Sequence, residues 1–235
     1  MFIITNDDGI NAEGIKALKE IITEDKVIIA PDRALSGCGH QVTTKDGITV
    51  TETKPQEYAI SGTPADCVRL GISKIFPSAT WVLSGINAGG NLGSDIHISG
   101  TVAAVREAAI HGLSAIAISH VIKYPQPINW DIAKKLSKKV LRELLNKELP
   151  KGCFWNVNLP PLDSVSNPDI VFCSPSVDPL PLNFKQEGNQ YFYRGEYWQR
   201  KRAIDTDVDV CFSGNIAVSL ISINGSPTLD MINYS

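Results

Sequence analysis

The residues that could do chemistry gather in three short segments, each placed directly after an apolar run that reads as a strand. The first is Thr5-Asn6-Asp7-Asp8-Gly9, where two adjacent carboxylates close a strand and Gly9 permits a tight turn. Alone it reads equally well as an N-cap, with Asp8 on the following helix and Asp7 in water. Held close, though, two carboxylates repel, and one takes up a proton unless a cation lies between them. Oxygen ligands of this kind suit Mg²⁺ or Mn²⁺ rather than zinc. The second segment, Ala30 to His40, is a glycine-rich loop carrying Arg33, Ser36 and His40. The third runs from Ser84 through Asn87, Asn91 and Asp95 to Ser99-Gly100-Thr101, just before a helix, where free backbone N–H groups and the helix dipole favour an anion. Its glycine spacing, G-x-x-x-G-G-x-x-G, fits neither a dinucleotide fingerprint nor a Walker A loop. Carboxylates for a cation beside an anion cradle describe a phosphate-ester hydrolase.

The elements that must position these segments alternate as strand and helix. Phe2 to Thr5, Val27 to Ala30, Trp81 to Leu83 and Ala115 to Ser119 read as buried strands, and Gly14 to Ile22 and Thr101 to His111 as helices. Thr49 to Thr53 and Glu57 to Ser61 alternate as strands do. Thr63-Pro64-Ala65-Asp66 opens a further helix, with Thr63 as N-cap and Pro64 at its first position. This rhythm implies an α/β fold with a mostly parallel sheet and helices on both faces. In such sheets ligands bind at the C-terminal strand ends, so the three segments are expected to share one crevice. The span Ser84 to Ser99 is expected to be a glycine-rich loop. The helix Asp131 to Leu144 should bury Ile132, Leu136, Val140, Leu141 and Leu144, with Lys134, Lys135, Lys138 and Lys139 on its wet face. From Pro160 the prolines break the chain into extended pieces, with a hairpin around Glu187-Gly188-Asn189 and a late strand over Ile216 to Ile223. Residues 1–159 are read as the core carrying the site, and 160–235 as an extended, hairpin-bearing segment that completes the same domain and serves assembly.

Composition limits the remaining choices. The 235 residues carry a net charge of −3 and are 43% hydrophobic and 20% charged. With no long Lys/Arg run, long nucleic acid is not an expected partner. Five cysteines with no C-x-x-C pair fit neither a disulfide framework nor a zinc site, and point to a reducing cytoplasm. No apolar run approaches the roughly 20 residues that cross a bilayer, so no membrane partner is expected.

Together the ordered motifs TNDDGI, APDR with SG, SGTPADCV, VLSGINAG with NLG, and SGTVAAV with Glu107 resemble those of SurE, the stationary-phase survival nucleotidases. The likeness runs through the first half, with weaker echoes at Trp155-Asn156-Val157-Asn158-Leu159-Pro160 and Asp205-Thr206-Asp207. It implies a Rossmann-like fold and a 5′-nucleotidase, a phosphomonoesterase that hydrolyses nucleoside 5′- and 3′-monophosphates. It further implies one divalent cation per subunit, held by Asp7, Asp8, Ser36 and Asn87, and assembly as a homodimer or homotetramer. Asp8 and Asp7 would be the catalytic residues, and Asn91, Ser99, Gly100, Thr101 and His40 the phosphate-facing group. His40 or His97 could protonate the leaving oxygen. Two rival readings stand beside this one: a non-catalytic nucleotide sensor, and a phosphatase of the haloacid dehalogenase type with an Asp nucleophile. The latter places its second Asp two positions on, where Gly9 stands here. The chain departs from the family pattern at Leu35, which replaces an Arg, at Cys38-Gly39, at His97-Ile98, and in a short tail beyond Ile223 that does not match the helical arm of relatives.

Overall fold

The computed structural model describes residues 1–123, 125–161 and 167–224. Strands β1 (Phe2–Thr5), β2 (Lys26–Pro31), β3 (Val50–Lys54), β4 (Glu57–Ile60), β5 (Trp81–Ala88), β6 (Ser114–His120), β7 (Cys153–Leu159), β8 (Ile170–Phe172) and β11 (Ile216–Ser222) form one sheet, in the order β3-β4-β2-β1-β5-β6-β7-β11-β8. Strands β9 (Phe184–Glu187) and β10 (Gln190–Tyr193) make a separate antiparallel hairpin. The pairs from β4 through β7 are parallel, whereas β3 on β4 and β11 on β7 are antiparallel. The fold is therefore α/β with a mostly parallel sheet, as the alternation of strands and helices implies.

Helices cover both faces. On one, α1 (Glu13–Ile21) and α4 (Trp130–Leu144) bury Ile15, Leu18, Leu136, Val140 and Leu144 against Ile4, Leu83, Ile116 and Val157. On the other, α2 (Pro64–Leu70) and α3 (Gly100–Ile110) bury Val68, Val102, Val105 and Ala108 against Ile3, Ile29 and Val82. Residues at one-face spacing on each helix meet alternate residues of strands buried on both sides, so the two cores follow from the two periodicities. Thr63 caps α2 through a capping box with Asp66, and Asn129 caps α4 by accepting from Asp131 and Ile132 N–H. Ile132 is exposed, and Ala133 takes its expected place inside.

Other departures from the sequence reading are local. The span from Ser84 is not loop at its start: β5 continues to Ala88, with a register shift against β6 between Ser84 and Asn87. Gly85 makes this possible, because its φ is +140° and a Cβ there would lie 2.3 Å from the Ile118 carbonyl oxygen. Gly93–His97 then forms a short 3₁₀ turn. Strand β8 and helix α5 (Asp207–Phe212) lie in the segment read as extended pieces, and α5 packs Val208 and Cys211 onto Leu92, Val121 and Ala217. Most of the tail beyond Ile223 lies outside the described residues.

Candidate active site

Because β2, β1 and β5 are neighbours running parallel, their C-terminal ends open side by side. The chain leaves β1 at Asn6-Asp7-Asp8-Gly9. Gly9 adopts φ +96°, and its Cα packs so closely on Arg33 that a Cβ would lie 3.1 Å from the Arg33 carbonyl carbon. That turn holds Asp7 inward, 4% exposed, and leaves Asp8 half-buried. Asp8 Oδ2 accepts a long hydrogen bond from Ala88 N–H, at 3.4 Å, which ties the acidic pair to the end of β5.

Asp7 receives the Thr101 hydroxyl on Oδ1, so the first turn of α3 is docked on the carboxylate. The approach is close enough that a Cβ on Gly100 would stand 2.7 Å from Asp7 Cβ and 2.9 Å from Cys38 Sγ. Only glycine lets helix, acid and loop meet there. Burial pushes the Asp7 carboxyl up to about 6, and the neighbouring Asp8 charge adds to this against the lowering effect of the Thr101 bond. Burial also raises Asp8, with the Ala88 N–H opposing it. Two carboxylates that burial makes reluctant to ionise, beside a cradle that a methyl group would fill, form a place where positive charge is wanted.

The loop after β2 comes next. Leu35 N–H donates to the Asp7 carbonyl at 2.7 Å, and Gly39 N–H to the Ile98 carbonyl at 3.0 Å. Leu35 thus anchors the loop through its backbone, a bond that any non-proline residue could make in place of the family's Arg. Ser36 lies between these anchors, exposed on the turn, next in sequence to the residue bonded to Asp7. Asn87, the penultimate residue of β5, donates its amide nitrogen to the Gly89 carbonyl at 2.8 Å, which leaves its amide oxygen to be offered elsewhere. Among the described residues no three His, Cys, Asp or Glu side chains cluster for a metal ion, so a cation here would take the two aspartates together with neutral oxygens.

At the start of α3, Ser99 is the N-cap, its hydroxyl accepting Val102 N–H at 3.1 Å. The N–H groups of Gly100 and Thr101 have no acceptor within the helix and point out of its end. Thr101 spends its hydroxyl on Asp7, so it offers an anion its backbone only.

Two expected phosphate-facing residues are engaged elsewhere. Asn91 is buried, its amide nitrogen on Ser119 Oγ at 2.7 Å and its backbone bonded to the Asn156 and Asn158 side chains. It secures the loop from behind. His40 lies with Nε2 2.7 Å from Glu107 Oε2, and His97 is exposed. The sequence reading gave Asn156 and Asn158 no role beyond the motif echo. Two asparagines on alternate, inward-facing positions of a strand were the available signal, since amides buried at that spacing require partners.

Comparison with known proteins concerns the chain as a whole. The family described as "Survival protein SurE" matches residues 2–177. A Synechocystis sp. protein named "Putative 5'-nucleotidase alr3139" is 52% identical over 223 residues, covering 94% of this chain and 99% of that protein. "5'-nucleotidase SurE" of Paramagnetospirillum magneticum is 35% identical over 227 residues, covering 92% and 87%. The crystal structure of the SurE protein from Aquifex aeolicus superposes with a TM-score of 0.84 at 29% identity, covering 98% of this chain and 96% of that one. An acidic pair just after the first strand, with a serine-bearing loop, a strand whose penultimate residue is an asparagine and a helix N-terminus near it, thus stands in a chain that belongs to the SurE family.

Proposed function

We propose that this chain is a divalent-metal-dependent phosphomonoesterase that hydrolyses nucleoside 5′- and 3′-monophosphates to nucleoside and phosphate. The observation that carries the reading is the docking of the α3 N-terminus on Asp7, which sets anion-receiving N–H groups beside a pair of carboxylates. A pure phosphate binder would gain nothing from carboxylates next to its anion. The relatives' names as 5′-nucleotidases support the nucleotide as substrate.

In this reading Asp7, Asp8, Ser36 and Asn87 hold one Mg²⁺ or Mn²⁺, which when bound supplies positive charge against the phosphate oxygens and acidifies water. Gly100 and Thr101 N–H groups receive a phosphate oxygen, with the dipole of α3 behind them. Thr101 fixes the Asp7 rotamer. Asp8, less buried and at the crevice mouth, takes the proton of the attacking water. With His40 bonded to Glu107, His97 is left as the histidine that would return a proton to the leaving oxygen. Exposed Phe184, Tyr191, Phe192 and Tyr193 on the hairpin support assembly into a homodimer or homotetramer.

Phosphate release from AMP and GMP, with Mg²⁺ or Mn²⁺ and with chelator, tests the reading. Chelation should abolish turnover, and Asp8→Asn should lower kcat by about 100-fold or more. Full metal-dependent turnover in both Asp7→Asn and Asp8→Asn would refute it, as would a phospho-enzyme trapped with a fluoride analogue.

A further inference from the structure

Glu107 lies on α3, six residues beyond Thr101, and is only 7% exposed. Both of its carboxylate oxygens are engaged. Oε2 takes His40 Nε2 at 2.7 Å, while Oε1 faces His111 Nε2 at 3.1 Å and Arg69 Nε at 3.6 Å. These three cations or potential cations come from the loop after β2, from the C-cap of α3 and from α2. The His40 bond, ahead of the others, holds the Glu107 carboxyl below the usual range, so it stays ionised. An ionised carboxylate accepts, so His40 donates from Nε2.

The bond matters because of what it brackets. Leu35 is tied to the Asp7 carbonyl, Gly39 to the Ile98 carbonyl and His40 to Glu107. Between these anchors only Ser36 and Gly37 are exposed, and Gly37, at φ +75°, has nothing within 4 Å of where a Cβ would be. The turn is closed by Cys38 N–H on the Leu35 carbonyl at 3.1 Å, and the position of Ser36 follows from this bond and the anchors on either side. The same helix that docks on Asp7 by its first turn grips the loop by its second.

We propose that Glu107 is a positioning residue that, through His40, places the Ser36 hydroxyl against Asp7 and Asp8 and so sets cation affinity. This rests on the reading of Ser36 as a cation ligand. Neither residue touches substrate in this scheme. Outer residues that orient ligands typically contribute about 10-fold to 100-fold in metal affinity.

Mn²⁺ binding, followed by the EPR signal of free Mn²⁺ in the absence of nucleotide, gives a readout independent of turnover. Glu107→Ala and His40→Ala should each weaken Mn²⁺ binding by about 10-fold. At saturating Mn²⁺, the KM for AMP should stay within about twofold of the parent. Glu107→Gln, whose amide oxygen still accepts from His40, should recover most of the loss. His111→Asn, which meets Glu107 without touching the loop, should bind Mn²⁺ as the parent does. Ser36→Ala combined with His40→Ala should be no weaker than Ser36→Ala alone, because both remove one ligand. Circular dichroism melts verify folding. If Glu107→Ala fails to fold, His40→Ala and Glu107→Gln carry the comparison. Parent-like Mn²⁺ affinity in His40→Ala, with Ser36→Ala weakened, would overturn the positioning role and leave the metal reading intact. Parent-like affinity in Ser36→Ala would instead remove Ser36 from the ligand set, and this inference with it.

Discussion

At the scale of residues, Asp7 links stability to function. Its carboxyl is raised from 3.8 to about 6, so the native protein binds a proton more tightly than the unfolded chain does. The contribution of this group to stability is therefore greatest below about pH 4 and is lost as the pH rises through about 6, a change of about 3 kcal/mol at most. Asp7→Asn keeps the Thr101 bond and removes the buried charge. Urea denaturation of the metal-free protein at pH 7.5 should show the variant to be the more stable, while its phosphatase activity is lost. If Asp7 holds the cation as proposed, below pH 6 that cation must displace a proton from the parent, so Mn²⁺ affinity, read by titration, should fall toward tenfold per pH unit. The acidic pair, Ser36 and Asn87 were legible in the sequence because they follow or end strands, which fixes them to one edge of a parallel sheet. The commitments of His40 and Asn91 were not legible. Each is made to a residue 67 positions away, Glu107 and Asn158 respectively, and spacing along a chain carries no record of such pairs.

At the scale of elements, the close approach of α1 to β5 is the most exposed to test. A Cβ on Gly14 would stand 1.9 Å from the Ile86 carbonyl oxygen. Helix propensity favours alanine there by about 1 kcal/mol, yet the clash is with backbone and cannot be relieved by a rotamer. Gly14→Ala should therefore destabilise by about 2 to 3 kcal/mol net, measured by chemical denaturation. Its activity should fall as well, since β5 carries Asn87. Strands with strong apolar runs and helices with a single apolar face were readable from their periods. The end of β5 was not, because Ser84-Gly85-Ile86-Asn87 has loop composition and is a strand through its pairing with β1 and β6. Helix α5, with six residues, and β8, with three, are too short for a period to show.

At the scale of the whole molecule, the C-terminal part is bolted to the site-bearing half by buried charge. Arg200, with its side chain 1% exposed, donates to Asp95 at 2.7 Å and to the Leu92 carbonyl at 3.0 Å. Tyr197 donates to the same carboxylate, and Asp207 accepts from Gly93 and Ser176 N–H. Arg200→Ala would strand the Asp95 charge, and urea denaturation should show a loss of about 3 to 5 kcal/mol. The sequence revealed that the later residues differ in texture. It did not reveal this clamp, whose members lie more than a hundred positions apart. The buried amides of Asn156 and Asn158 grip the backbone of Asn91 from the same inner side. The stretch past β5 is consequently moored from beneath, while the side chains of His97 and Ile98 stay exposed. Ile98 meets the neighbouring loop through its backbone carbonyl, which any side chain would leave in place, so that position can be rewritten without shifting the foundations.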